Sequence, residues 1–178
     1  SVSRHKRTPR RYRGHDHVWW WIKTGFDRTP ASRKPPEILP LVHSGAYGGH
    51  TIDFRDFAAN GMVLVGRVES AEGCVVRFAA DLMDNLAEGD AGYQAVMDGI
   101  DAYIAKTGMD VPPDPEARQL APEPPGLREP IRELNLREAG VTSVIWATGY
   151  SLDFSWIDIP VFDASGSPCH QAGATEVE

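Results

Sequence analysis

The chain has 178 residues, of which 42% are hydrophobic, and a formal net charge of −7 at pH 7. This length allows one ordinary domain or parts of two, and the apolar content excludes a disordered chain. The longest apolar runs are too short to cross a bilayer, and the two cysteines, Cys74 and Cys169, are too far apart to suggest a disulfide framework. We therefore expect a soluble, cytoplasmic protein without a membrane partner.

The net charge conceals an asymmetry along the chain. Residues 1–34 carry ten Lys or Arg against Asp16 and Asp27, whereas the remainder carries eight basic and twenty-three acidic residues. The run SRHKRTPRRYRG at residues 3–14 could be a solvated basic loop, a nucleic-acid arm or a site for a nucleotide phosphate. Composition alone favours the solvated loop, because charge runs usually lie on surfaces and only Tyr12 interrupts this one.

The first half of the chain predicts two short helices and a β-hairpin. Residues 16–23 have Asp16 as an N-cap and Gly25 as a stop, and residues 53–60 place apolar side chains at helical spacing. The consecutive Trp19, Trp20 and Trp21 are interpreted as core aromatics rather than as a surface that stacks on a cofactor. Residues 62–68 and 74–79 flank a turn at residues 69–73, which predicts the two strands of the hairpin.

The second half predicts further helical structure, a connector and a buried strand. We expect a helix at residues 82–86 that is broken at Gly89 and Asp90, then a stronger one to Lys106 that Gly108 ends. Six prolines make residues 111–126 an extended connector. Residues 141–147 are apolar and β-branched, as in a strand buried on both faces. The smaller predicted features are a helical turn at 154–157, a strand at 159–162 and a turn at 163–166.

Motifs that would define a catalytic or metal site are missing from the sequence. The chain contains neither GxGxxG nor GxxxxGK[ST] nor GxSxG. His15 and His17 lie close in sequence, and His43 and His50 flank a glycine-rich loop, but no Cys or carboxylate cluster joins them at ligand spacing. We interpret both histidine pairs as structural or surface residues and predict no metal site.

Seven segments of the chain, in this order, resemble a known family. They are SRHKR (3–7), PRRYRG (9–14), GGHTIDFR (48–55), GMVLVG (61–66), FAADL (78–82), TSVIWATGY (142–150) and FSWI (154–157). Together they resemble the second half of the flavin-containing monooxygenase-like proteins, which insert an NADPH domain into an FAD domain. The resemblance implies an α/β fold, with a partial Rossmann-like NADPH domain containing a hairpin and helices, and with a strand that returns to the FAD domain.

The resemblance also implies how the chain is divided and how it meets NADPH. Residues 1–139 would be the later part of the NADPH domain with its Pro-rich connector, and residues 140–178 a truncated return into the FAD domain. Ser3 and Arg4 would face the 2′-phosphate of NADPH, with Lys6 or Arg7 assisting. The ends of the chain, SVS and EVE, suggest a fragment whose two GxGxxG fingerprints would lie before Ser1.

For the flavin, the resemblance implies that Thr148 and Gly149 approach the FAD cofactor. NADPH would give a hydride to FAD, and the reduced flavin would activate O₂ to oxygenate a small-molecule substrate. No side chain is implied as acid, base or nucleophile, so no catalytic residue is assigned. The sequence therefore predicts part of an NADPH- and FAD-dependent oxidoreductase of the monooxygenase type, inactive in isolation. The alternatives are a small nucleic-acid-binding protein that uses residues 1–14 and a non-catalytic structural domain.

Overall fold

The computed structural model describes residues 6–29, 43–147, 152–171 and 173–175. The chain divides into two units, Ser1–Thr142 and Ser143–Glu178. The described part is mixed α/β, with three helices and small sheets in which every strand pair is antiparallel. The expected mixture of helices and strands is thus present, whereas the described residues form no parallel Rossmann-like sheet.

The arginine-rich segment leads into a tight hairpin and the first helix. Strand β1 (Arg11–Tyr12) pairs with β2 (His15–Asp16) across Arg13 and Gly14, whose φ values of 49° and 75° are those of a type I′ turn. Helix α1 (His17–Thr24) follows directly. The Asp16 carboxylate accepts the Val18 N–H, and Gly25 ends the helix at φ 76°. The predicted helix, cap and stop are confirmed.

A second small hairpin precedes the second helix. Strand β3 (His43–Ser44) pairs with β4 (His50–Thr51) around a 3₁₀ turn, Ala46–Gly48. Helix α2 (Phe54–Ala59) then begins after Asp53, whose carboxylate accepts the Arg55 N–H at 2.9 Å. The helix predicted for residues 53–60 is confirmed, and its N-cap places Asp53 and Arg55 side by side in the interior.

The predicted β-hairpin forms, but its first strand lies later in the chain. Strand β5 (Val68–Glu72) pairs with β6 (Val75–Phe78), which pairs in turn with β7 (Glu133–Asn135). Residues 62–67 form no strand, so that part of the prediction is wrong. The turn at residues 73–74 brings only residues from Val68 onward opposite β6. At Gly66 the backbone meets the Ala79 carbonyl so closely that an added Cβ would lie 2.1 Å from its oxygen.

Helix α3 (Leu82–Thr107) is one uninterrupted helix of 26 residues. The predicted break at Gly89 and Asp90 is wrong, because both residues are buried and the Asp90 carboxylate is held by arginines from other elements. Gly108 ends the helix as predicted, at φ 67°. The apolar stripe of α3 faces the core, whose main cluster is Tyr12, Trp20, Tyr93, Met97 and Ile100. A smaller cluster is formed by Leu82, Leu86 and Leu127.

The later segments are less regular. The connector contains a 3₁₀ turn, Glu116–Arg118, and leads into a turn at residues 125–128. Residues 141–147 form no strand and are exposed, with Ile145 at 90% and Trp146 at 82%, so the predicted buried strand is wrong for the described residues. The turn at residues 163–166 is confirmed by a bond from Gly166 N to Asp163 O, whereas residues 159–162 make only an isolated bridge from Phe162 to Pro168.

Candidate functional site

The described part of the basic segment, residues 6–13, packs into the interior. Arg7, Thr8 and Pro9 are buried, and Tyr12 is 2% exposed in the main core cluster. The Arg10 N–H donates to Thr51 Oγ1 at 2.9 Å, and its carbonyl accepts the His17 N–H at 2.9 Å. The interpretation of these residues as a solvated loop is therefore wrong for the described part, because Arg7 and Arg13 pair with carboxylates from distant parts of the chain and Arg10 pairs with Asp16.

Arg7 lies in a buried cluster of two arginines and two aspartates. Its Nη2 is 2.8 Å from Asp53 Oδ2, and its Nη1 donates to Asp90 Oδ1 at 3.0 Å. Arg55 donates to both oxygens of Asp90, at 3.2 and 2.7 Å. The four formal charges balance, which is the arrangement that makes buried ions tolerable. The cluster ties the basic segment to α2 and α3.

The aromatic ring of Tyr93 completes the surroundings of this cluster. The Arg7 guanidinium carbon lies 4.2 Å from the ring centroid, within the range of a cation–π contact. Burial raises the pKa of the Tyr93 hydroxyl, and the positive charge of Arg7 opposes that shift. Tyr93 therefore remains a neutral aromatic support for Arg7.

A second polar cluster joins the β1–β2 hairpin, α3 and the connector. The Asp101 carboxylate accepts hydrogen bonds from Tyr12 Oη at 2.8 Å, Arg13 Nε at 2.8 Å and Arg118 Nη2 at 2.7 Å. Burial alone would raise the pKa of Asp101, but the bonds from Arg118, Tyr12 and Arg13 outweigh it and lower that pKa. The pKa of Arg118 is raised, first by its bond to Asp101 and then by that to Asp98.

Arg10 and Arg11 occupy different environments although they are adjacent. Arg10 Nη2 pairs with Asp16 Oδ2 at 2.8 Å. Arg11 is exposed, and its Nη2 donates to the Gly48 carbonyl at 2.9 Å. Of the four arginines between residues 7 and 13, Arg11 is the one to which the described residues supply no carboxylate.

The structure describes two of the six predicted cofactor-binding residues. Ser3, Arg4, Thr148 and Gly149 lie outside the described residues. Lys6 is half-buried at the start of the described segment. Both Nη atoms of Arg7 already contact carboxylates, those of Asp53 and Asp90. The role of Arg7 at a 2′-phosphate remains a prediction.

The carboxylates that pair with these arginines have little or no signal in the sequence. Asp53 carried a signal as a helix N-cap, but nothing in its local sequence indicates the contact with Arg7. Asp90 was expected only at a helix break, and Asp101 carried no signal at all. The pairs are separated by 83 residues for Arg7 and Asp90 and by 88 for Arg13 and Asp101, beyond any local pattern.

The sequence predicts that both histidine pairs are structural or surface residues. His15 stacks on the Trp19 ring at 3.7 Å, and His17 is 3% exposed beside Trp21. Among the described residues, no group of three or more His, Cys, Asp or Glu could hold a metal ion. Within the same part of the chain, no helix combines the length and the apolar character needed to cross a bilayer.

Comparison with known proteins gives a short match to an oxidoreductase. The relative is an uncharacterised, CzcO-like oxidoreductase of Geobacillus kaustophilus (strain HTA426), 56% identical over 39 residues. The match covers 21% of this chain and 11% of the relative. No protein-family model and no solved structure matches the chain. A small part of the chain thus supports an oxidoreductase family.

Proposed function

We propose that this chain contributes to an NADPH- and FAD-dependent oxidoreductase of the flavin-containing monooxygenase-like type. The observation that carries the proposal is the 56% identity over 39 residues with a CzcO-like oxidoreductase. The order of the seven family-like segments agrees with it. In such an enzyme the bound cofactors supply hydride transfer and the activation of O₂ toward a small molecule, while the protein binds, orients and shields them.

The basic segment is suited to hold NADPH. Ser3, Arg4 and Lys6 would face the 2′-phosphate, since arginine and lysine bind phosphate through charge and several N–H donors. Arg7 is better suited to position this segment, because its guanidinium already contacts Asp53 and Asp90 in the interior. The buried cluster would thus hold the backbone at residues 6–10 in place while its neighbours contact the nucleotide.

The exposed apolar run at residues 141–147 is suited to contact with other protein. Thr148 and Gly149 would follow it toward the flavin, where glycine permits a close approach of backbone and ring. The exposure of Ile145 and Trp146 supports this proposal, since large apolar side chains at such exposure are typical of surfaces that other protein covers.

The test is to express the complete open reading frame that encodes this chain. We expect a protein with a visible flavin absorption band that oxidises NADPH and consumes O₂. Arg137→Gln removes an exposed arginine outside the basic segment, so we expect this variant to keep the flavin content and the rate of NADPH oxidation of the wild type. A purified protein that folds but neither retains flavin nor oxidises NADPH when FAD is added would contradict the proposal.

The nucleic-acid alternative predicts a different result in the same preparation. It requires binding that weakens steeply with salt and that depends on Arg4, Arg10 and Arg11. The carboxylates that pair with Arg7, Arg10 and Arg13 reduce the positive charge available to a nucleic-acid backbone. The flavoprotein proposal therefore predicts no salt-sensitive retention of a single-stranded oligonucleotide.

A further inference from the structure

Asn60 and Gly61 form the end of helix α2. Gly61 has φ 94°, a left-handed conformation that glycine adopts without strain. Its N–H donates to the Ala58 carbonyl at 3.0 Å, and the Met62 N–H donates to the Phe57 carbonyl at 3.0 Å. These are the two bonds of a Schellman motif, in which a glycine just past the helix closes its last turn.

The same two residues form a chemically labile pair. The carboxamide carbon of asparagine, Cγ, is open to attack by the backbone nitrogen of the next residue, and glycine, without a Cβ, leaves that approach unhindered. Both residues are exposed, and a Cβ built at Gly61 would meet nothing within 4 Å. Of the asparagines in the chain, Asn60 precedes glycine, whereas Asn85 and Asn135 each precede leucine.

Hydrogen bonds hold Asn60 and Gly61 away from the reactive geometry. The Asn60 Nδ2 donates to the Asp56 carbonyl at 2.7 Å, and its backbone N–H donates to the carbonyls of Asp56 and Phe57, each at 3.1 Å. The Gly61 nitrogen must lose its proton and turn toward Cγ to react, which its bond to the Ala58 carbonyl prevents. All these bonds close the last turn of a helix of 6 residues. Because helix ends open at little cost in free energy, the protection is temporary.

We propose that Asn60 is a site of spontaneous deamidation, gated by the opening of the last turn of α2. The Gly61 nitrogen forms a bond to Asn60 Cγ, the bond from Cγ to Nδ2 breaks, and ammonia leaves with the proton that the Gly61 nitrogen gives up through water. A water molecule then opens the succinimide ring at one of its two carbonyls, which yields aspartate or isoaspartate. Water is the co-reactant, and nothing is oxidised or reduced. The reaction is independent of NADPH and FAD.

Deamidation weakens the helix that supplies Asp53 and Arg55 to the buried cluster. A carboxylate in place of the Asn60 carboxamide cannot donate to the Asp56 carbonyl, and its negative charge is unfavourable at the carboxyl end of a helix. Isoaspartate also adds a methylene group to the backbone, which disturbs the Schellman bonds. We expect Asn60→Asp, which reproduces one product, to lower the Tm by about 2–4 °C.

The experiment incubates the 178-residue chain at a mildly basic pH and follows its tryptic peptides by mass spectrometry. The synthetic peptide FRDFAANGMVLVG, residues 54–66, is the reference without a stable helix. We expect the tryptic peptide with Asn60 to gain about 1 Da, about 10-fold more slowly in the folded chain than in the synthetic peptide. The peptides with Asn85 and Asn135 should keep their masses over the same period.

Two variants separate the site from its gate. Asn60→Gln should abolish the reaction, because glutamine must form a larger and less favourable ring, so the aged variant keeps its Tm while the fully converted wild type loses about 2–4 °C. Ala59→Gly lowers the helix propensity at an exposed position of the last turn. It should accelerate the conversion of Asn60 about 2–5-fold in the folded chain and leave the rate in the synthetic peptide unchanged.

Conversion of Asn85 or Asn135 before Asn60 would overturn the site. So would an Asn60 that stays intact in the folded chain for about 100 lifetimes of the synthetic peptide, since a frayed helix end opens more often than that. Equal rates in the folded chain and the synthetic peptide would overturn the gate, as would an Ala59→Gly chain that converts Asn60 no faster than the wild type.

Discussion

Asp90 accepts three contacts from two arginines, and its side chain is only 11% exposed. Replacing it by Asn keeps the shape but removes the charge, leaving Arg7 and Arg55 to share Asp53. We expect Asp90→Asn to lower the free energy of unfolding by about 3–5 kcal/mol, the range for breaking a buried ion pair. Urea denaturation followed by tryptophan fluorescence measures this.

The matched control for Asp90 is Asp98 on the same helix. Its carboxylate also accepts an arginine contact, from Arg118 at 2.8 Å, but its side chain is 67% exposed. Asp98→Asn should cost less than about 1 kcal/mol, as surface ion pairs do. Similar losses for the two variants would show that burial does not set the strength of the Asp90 contacts.

Asp101 makes the stability of the chain depend on pH. Its pKa is lowered in the folded state, so its bonds to Tyr12, Arg13 and Arg118 stabilise the fold above the unfolded pKa of about 3.9. This contribution is lost as the pH falls through the lower, folded pKa. We expect Asp101→Asn to lower the free energy of unfolding by about 1–2 kcal/mol at pH 7.

The difference between wild type and Asp101→Asn should persist down to about pH 4 and shrink at more acidic pH. Urea denaturation of both proteins at several pH values measures it. The difference in the free energy of unfolding could instead stay constant down to the most acidic pH at which both proteins fold. That result would mean that the charge of Asp101 does not stabilise the fold and that Asn is destabilising for a steric reason.

Two glycines in or near secondary structure should have opposite effects on stability when replaced by alanine. Gly99 lies exposed within α3, and a Cβ there meets nothing within 4 Å. Gly99→Ala should raise the free energy of unfolding by about 0.5–1 kcal/mol, because alanine has the better helix propensity. Gly66→Ala should lower it by about 1–3 kcal/mol through overpacking against the Ala79 backbone. Thermal denaturation compares them, and a stabilising Gly66→Ala would refute the close approach.

The helices were predictable and the strands only partly so, for a physical reason. The signals of α1 and α2 are local, since Asp16 and Asp53 each cap their own helix within a few residues. A strand is stable only when another strand lies beside it. Residues 62–67 and 141–147 have the composition of strands, but the described residues place no partner beside them. Composition therefore indicated that these residues favour extended backbone, but not whether they form a strand.

Across the fold, the arginine-rich segment is the part whose environment is least predictable from the sequence. Its charge and its resemblance to a phosphate-binding segment were visible, but its partners are carboxylates of α2, α3 and the connector. Such contacts depend on the complete fold, because no periodicity or motif relates residues about a hundred positions apart.

These distant contacts also affect how the chain folds during synthesis. Arg7 reaches Asp90, Tyr12 reaches Asp101 and Arg13 reaches Asp114, across 83, 89 and 101 residues. At about 5–20 residues per second, a ribosome needs on the order of 4–20 s to produce the missing carboxylates. During that interval Arg7 and Arg13 lack their partners on α3 and in the connector, so the β1–β2 hairpin can reach its native packing only after α3 and the start of the connector have left the exit tunnel.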